Sequence, residues 1–430
     1  MQQQIITIYN LKNDVSGAAS GFVAIGELNR FESAILRRNY CGYGSFEIWA
    51  PITDENRLYF NPTTDQSLNF VYFGKNVAGI VENVQGEIDA QNHLRYHISG
   101  RTCEALLCRR AFGLGRKVGS TSNYMIANTT TFSGLTAYSV IYNMLKDCFL
   151  NSAGGYTNRR MPFFTVPTDS GNLPTRTFNF QRSGGNLYDA VVDFLTQEYL
   201  SLGFCVQFDP VQKMLVPHVY AGVNRSASQS VHNTVIFSDQ LDDILQSSYI
   251  WDDTNYRNVA YIAGEGEGSD RSMVQAVRNT NTYNTSWYNG TVNFPGFALR
   301  ELFVDARDIT RKSADTITTN SGGNATTLTD AQYFQALAKR GTQRLGESNI
   351  LNTFNATIRT HGNRMYTFGA DYNLGDIVTV EDTRLGFSVD TRITSTEETF
   401  GSDYSLVLTF GEAQKTLGQK LAQIQDNMTN

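Results

Sequence analysis

His93 and His97 in "HLRYH" lie on one face of a strand, the kind of placement from which a zinc site is built. Four residues of strand nevertheless span about 13 Å, too far for one ion, and no H-E-x-x-H spacing accompanies them. Cys41, Cys103, Cys108, Cys148 and Cys205 are odd in number, scattered, and free of any C-x-x-C pair, which is neither a zinc framework nor a disulfide scaffold. Cys103, Cys108 and Cys148 fall on helical faces and read as small buried hydrophobes. A serine nucleophile lacks its G-x-S-x-G elbow, while a glycosidase carboxylate pair stays open, since any two of 41 acidic residues can meet in space. "GEGEGSDR" (264–271) shares only glycines with a phosphate loop; Glu265 and Glu267 repel phosphate, and the reading is a hairpin connection.

The densest cluster of special residues is "YTFGADYNLGDIVTVED" (366–382). Gly369, Asp371, Asn373, Gly375 and Asp376 tolerate turn conformations, and Val378 and Val380 then alternate as in a half-buried strand. The run lacks the spacing of a calcium loop. Gly369, Asp371, Gly375 and Asp376 are therefore read as a structural turn, and no catalytic, cofactor-binding or metal-binding residue is assigned.

The elements that position these residues are mostly strands. With 430 residues, two to four domains are expected; charged residues are 18%, aromatics 12%, with 36 Gly and only 8 Pro, the profile of a folded, strand-rich chain. A formal charge of −6 argues against a surface that coats nucleic acid, yet suits a wall past which DNA slides. The N-terminus carries no signal-like pattern and no stretch is long and apolar enough to span a membrane, so a soluble protein made in the cytosol is expected.

Residues 1–102 read as successive strands with turn residues between them and no helix, a first β-barrel. Phe46, Ile48 and Ala50 alternate, as do Val77, Gly79 and Val81. Residues 103–232 read as an α+β insert. It opens with a helix in "RTCEALLCRR" capped by Thr102, and continues with helices in "SGLTAYSVIYNMLKDCFLN" and "GGNLYDAVVDFLTQEYLSLGF" that should pack together. A hairpin turning at Asp209 and Pro210 closes the insert. Residues 233–412 return to strands as a second β-barrel, with Tyr404, Leu406, Leu408 and Phe410 alternating. One helix, "DAQYFQALAKRGTQRLGE", is expected to plug or flank a barrel end, behind a solvent-projecting loop, "TITTNSGGNATTLTD". Residues 413–430 form a C-terminal helix whose Leu417, Leu421, Ile424 and Met428 make a short a/d seam, able to add to an oligomer held elsewhere or to lie on the chain's own surface. The fold class is α+β, mainly β.

The combination "FESAILRRNYCGYGSFEIWAP" (31–51), "SGRTCEALLCRR" (99–110), "VIFSDQLDDILQSSYIWDDTNYRNVAYIAGEGEG" (235–268), "LRELFVDARDI" (299–309) and "DYNLGDIVTV" (371–380) resembles the hub proteins of phage tail tips. The resemblance runs to about residue 412 and implies a homotrimer in which each chain gives two tube-like barrels to a hexameric tail tube. It implies a structural virion protein at the tail tip, without cofactor. Its partners would be the tail tube or distal tail protein, the tape measure protein, and a spike or lysin protein at the C-terminal end, with DNA only in transit. Many relatives carry a C-terminal wall hydrolase, and this chain stops at Asn430, so wall cutting is expected of another protein. The alternative reading is a tail protein that binds host-surface glycans or degrades cell wall, suggested by 26 Phe, 22 Tyr and 3 Trp and the abundant acids.

Overall fold

A computed structural model of the chain describes residues 5–411 apart from 14–18, 61–68, 89–93, 119–122, 128–129, 147–160, 162, 166–167, 170–172, 174–176, 183, 198–201, 242–243, 279–282, 286–293, 295, 318–322 and 361–364. The predicted C-terminal helix with Leu417, Leu421, Ile424 and Met428, and also His93 and Cys148, lie outside the described residues. The first region supplies β1 (Ile6–Asn13), β2 (Ala19–Leu28), β3 (Ser33–Asn39), β4 (Ser45–Pro51), α1 (Asp54–Tyr59), β5 (Asn69–Gly74), β6 (Val77–Ile88) and β7 (Leu94–Thr102). Next come β8 (Ala111–Phe112), β9 (Leu114–Val118), β10 (Asn123–Ala127), β11 (Thr130–Leu135), α2 (Ala137–Leu145), β12 (Thr168–Asp169), β13 (Phe178–Arg182), β14 (Gly185–Asn186), α3 (Leu187–Gln197), β15 (Gly203–Asp209) and β16 (Met214–Tyr220). The last region holds β17 (Ile236–Ser238), β18 (Ile244–Asp252), β19 (Val259–Ala263), β20 (Met273–Val277), β21 (Tyr283–Asn284), β22 (Glu301–Asp305), β23 (Lys312–Ile317) and β24 (Gly323–Thr327). It ends with α4 (Asp330–Glu347), β25 (Leu351–Ile358), β26 (Ile377–Asp382), β27 (Phe387–Phe400) and β28 (Ser405–Gly411).

The molecule is mainly β, as its sequence implies, and among the described residues no closed sheet is found. Among the described residues the principal sheet is open and continuous, in the order β18-β25-β28-β27-β3-β4-β7-β6-β5-β1-β2, with β17 and β26 attached beside β27. The two β regions are thus welded to each other through β3 and β27, which pair antiparallel from Ser395 opposite Asn39 to Phe400 opposite Ala34. Each region keeps its own apolar core: Leu36, Phe46, Ile48, Val71 and Ile98 in the first, Phe237, Phe354, Val378, Ile393 and Leu408 in the second. The first core includes Ile6, Ile8 and Val71 from β1 and β5, so these strands fold back over β3, β4 and β7. The opposite sides of β1, β5 and β6, with Tyr9, Phe70, Ala78 and Ile80, join a third cluster. That is why the expected alternation of Val77, Gly79 and Val81 gives way to burial on both faces.

That third cluster is the core of the middle region. Phe132, Phe178 and Phe180 of the small sheet, Val140, Ile141, Met144 and Leu145 of α2, and Leu187, Val191 and Phe194 of α3 all share it. At nine residues α2 is too short to persist alone; burying those four side chains contributes about 1.5–3 kcal/mol each and holds it in place. Side chains cap both helices: Thr136 accepts from the Ser139 amide and Asn186 from the Tyr188 amide. In "RTCEALLCRR" the helix is a 3-10 segment, Cys103–Arg109, and Thr102 does not cap it, its hydroxyl accepting instead from the Gly44 amide at 2.7 Å.

Other departures have local causes. A short helix interrupts the first β region, because Thr53 and Asn56 form a reciprocal capping box around Asp54–Tyr59. The Thr/Asn/Gly-rich stretch expected as a loop is the β23–β24 hairpin, with β23 parallel to β11. Helix α4 packs on the separate β21-β20-β19-β22 sheet rather than at a barrel end, with Tyr333, Leu337, Ala338 and Leu345 against Ile262 and Val274. Among the described residues no helix is long and apolar enough to cross a membrane.

Candidate functional site

The residues that convergent packing singles out lie where the three regions meet, around Tyr40 at the end of β3. Tyr40 is fully buried. Its amide donates to the Thr394 carbonyl at 2.9 Å in the last region, and its carbonyl accepts from the Phe204 amide at 3.2 Å in the middle one. Its hydroxyl accepts from the Gly222 amide at 3.1 Å. The ring is enclosed by Tyr220, edge-on at 5.3 Å, and by the Arg392 guanidinium at 5.2 Å. Burial pushes the phenol up to about 12, so it stays neutral at physiological pH.

Gly375 forms the other wall. Its φ of +96° suits glycine, and a Cβ there would stand 2.3 Å from the Tyr40 ring. Arg392 donates to its carbonyl. The next residue, Asp376, is buried, and its carboxylate accepts from the Val223 amide at 2.8 Å, the Asn373 amide at 2.9 Å and Arg225 Nε at 3.1 Å. Ile377 and the Val223–Arg225 segment exchange two further backbone bonds, of 2.9 and 2.7 Å. One carboxylate therefore staples the chain leaving the middle region to the strand entering the last one.

The remaining turn residues sit apart from this node. Gly369 has φ +86° and donates its amide to the Tyr372 carbonyl, while exposed Asp371 accepts from the Thr367 amide at 2.7 Å. The two aspartates thus serve different partners. Among the described residues no group of three or more His, Cys, Asp or Glu side chains is placed to hold a metal ion.

A second meeting place is the seam itself. Arg37 on β3 reaches Glu47 at 2.7 Å and Glu397 at 2.6 Å on the polar side, about one third exposed. On the opposite side Arg38 pairs with nearly buried Glu398 at 2.7 Å, and Tyr404 donates to the same carboxylate at 2.8 Å. Further along, Trp49 and His97 stack at 4.0 Å and 7°, Arg95 lies over Trp49, and Arg95 and Arg101 hold Glu87 and Glu82. His97 faces Glu47 at 3.6 Å rather than a metal partner.

The thiols are unsuited to nucleophilic work. Burial pushes Cys41 and Cys205 up to about 12 and Cys103 well above its ordinary value, so each remains a thiol. Glu104 is a buried carboxylate whose Oε1 accepts from the Val206 amide at 2.8 Å; burial raises it above the ordinary range.

Sequence reasoning found Gly375 and Asp376 as a turn but not what the turn grips. Tyr40, Gly222 and Arg225 carry no local signature, because the partners that fix them lie more than a hundred residues away. The usable signal was indirect: "FESAILRRNYCGYG", "SGRTCEALL" and "DYNLGDIVTV" contain Tyr40, Glu104 and Gly375, and fold onto neighbouring ground.

Residues 21–412 match the family described as Siphovirus ReqiPepy6 Gp37-like protein. Among solved structures the chain is similar to the 43 kDa tail protein of prophage MuSo2 from Shewanella oneidensis, at 13% identity and TM-score 0.51, over 95% of this chain and 98% of that one. It is equally similar to the tail protein from Neisseria meningitidis MC58, at 12% identity and TM-score 0.51, over 95% and 97%. These likenesses show a shared fold. No curated protein matches the chain.

Proposed function

The chain belongs to the Siphovirus ReqiPepy6 Gp37-like protein family, and from that membership and a fold shared with phage tail proteins we propose that it is a structural hub of the tail tip. Three copies assemble, and each presents two similar β units, so that six units meet a hexameric tail tube. In this reading residues 1–102 and 233–412 are the tube-like units, 103–232 the insert, and 413–430 a helix at the trimer axis or against a spike or lysin protein. The turn containing Gly369, Asp371, Gly375 and Asp376 is architectural.

The observation that carries the reading is the β3–β27 weld. Four strands of the first region, β6-β7-β4-β3, continue into four of the last, β27-β28-β25-β18, giving one eight-stranded array with a core on one side. Its other side is mostly polar, with Ile35, Trp49 and Val407 among the polar residues. Glu47, Glu82, Glu87 and Glu397 there each meet an arginine, while Asn355, Thr357, Ser405 and Thr409 are uncharged. A wall without excess positive charge lets a tape measure protein, and then DNA, pass without sticking.

Light scattering on the purified protein should return three times the subunit mass of 48.0 kDa, and tail tubes incubated with it should gain a cap visible by electron microscopy. A stable monomer that never joins tubes would overturn the reading. Purified host wall mixed with the protein should release no fragments, since the chain acts as scaffold rather than enzyme.

A further inference from the structure

Helix α4 has two unlike sides. Its apolar side, with Tyr333, Leu337 and Leu345, lies on the β21-β20-β19-β22 sheet. Its other side carries Gln332, Gln335, Lys339 and Gln343, at the three- and four-residue spacing that lines side chains up along a helix. This side faces β11 and β13 of the middle region and encloses with them a cavity of about 190 Å³.

Amides dominate the polar wall of the cavity. Asn179 and Gln181 come from β13, and Gln332, Gln335 and Gln343 from α4, while Thr131 and Ser133 of β11 add hydroxyls. Two of the amides tie the walls together. Asn179 Nδ2 donates to Gln335 Oε1 at 3.4 Å, and Gln181 Nε2 donates to Thr131 Oγ1 at 2.8 Å and to the Thr310 carbonyl at 3.4 Å. The Thr310 carbonyl fixes which way the Gln181 amide is turned, because a carbonyl accepts and the side-chain oxygen cannot donate to it. Gln181 is only 6% exposed, and its Oε1 has no partner within the protein. A buried acceptor in that position calls for a donor from outside the chain. Phe132, Phe180, Ile309 and Leu328 complete the lining with apolar surface.

We propose that this cavity binds one uncharged sugar ring. Its volume suits a single ring with substituents, since a cavity of roughly 150 Å³ holds one benzene and drug-sized ligands occupy about 300 Å³ or more. Amides both donate and accept, as sugar hydroxyls do, so the two pair reciprocally. One ring hydroxyl donates to Gln181 Oε1, and the C–H side of the ring rests on the apolar lining. A cationic ligand is disfavoured, because the charged residues lining the cavity are Lys339 and Arg340, the latter held by Asp308 at 2.8 Å. A nucleobase is disfavoured as well: Phe132 and Phe180, at 0% and 8% exposure, offer no open face on which to stack. The walls belong to the middle and last regions, so a bound ring bridges them. The site requires neither the trimer nor the tail tube.

The test is saturation-transfer NMR on the full-length chain with D-glucose, D-galactose, N-acetyl-D-glucosamine and adenosine as separate probes. At least one sugar should receive saturation, and adenosine none. Gln335→Trp fills the cavity from an exposed position on α4 and should erase the sugar signal while the melting curve stays that of the wild type. Gln181→Leu should weaken binding by up to about tenfold, the weight of one lost hydrogen bond. Polysaccharide stripped from bacterial cell wall should displace the sugar when the ring is the end of a glycan chain, whereas a sugar that stays bound is a free one; both results support the site. Absence of saturation for all three sugars, adenosine binding in their place, or a sugar signal unchanged in Gln335→Trp overturns it. None of these outcomes bears on the hub reading, which the mass measurement tests separately.

Discussion

The first and last β regions touch in two unlike places. At the seam, β3 and β27 meet through a regular ladder whose polar side is bridged by half-exposed ion pairs such as Arg37–Glu397. At the Tyr40 node they meet through single, buried, shape-dependent contacts to which the middle region also contributes. The ladder supplies continuity and tolerates a change of side chain, since its bonds belong to the backbone. The node fixes how the three regions are set against one another, and tolerates little.

The contrast predicts an order of damage. Gly375→Val should be worst, because it combines an unfavourable φ with a Cβ 2.3 Å from the edge of the Tyr40 ring; a loss of about 4 kcal/mol by denaturant unfolding is expected. Asp376→Ala follows, at about 3 kcal/mol, since it strands Arg225 and two amides. If either variant unfolds like the wild type, the node is not the rigid joint described.

Third is a pH effect. Burial raises the Glu104 carboxyl above its unfolded value, so its contribution is fully present below the unfolded carboxylate range and is lost as pH rises through the folded value. Thermal melts of Glu104→Gln should therefore show less decline than wild type as pH rises from about 4, near the ordinary carboxylate value. An unchanged profile would place the titration elsewhere. Smallest is Arg37→Ala, at about 0.5 kcal/mol and vanishing in high salt, because the pair is solvent-screened. A double-mutant cycle with Glu397→Ala measures it, and a coupling several times larger would erase the distinction between seam and node.

Much of the strand content was legible because Phe46, Ile48 and Ala50, or Leu406, Leu408 and Phe410, alternate under a one-sided core. Alternation names a strand without naming its neighbour. Nothing local in "SAILRRN" indicates that its partner lies 360 residues later, so the sequence reads as two separate β regions where, among the described residues, one sheet runs through both. The β19–β22 sheet under α4 was missed for a similar reason: Val259–Ala263 is a short apolar run that fits any sheet, and only its contact with Tyr333 and Leu337 assigns it. At the candidate site, Gly375 and Asp376 were visible as turn formers, whereas Tyr40 looked like any aromatic at a strand end.

The fourteen-residue β27 bonds to β26 along its first half and to both β28 and β3 along its second. Tension applied along that strand would load its ladder bonds in parallel, so that many must fail together, whereas tension across it would open them one at a time. The chain thus holds best when force runs along β27, and the seam gives it a strong direction and a weak one.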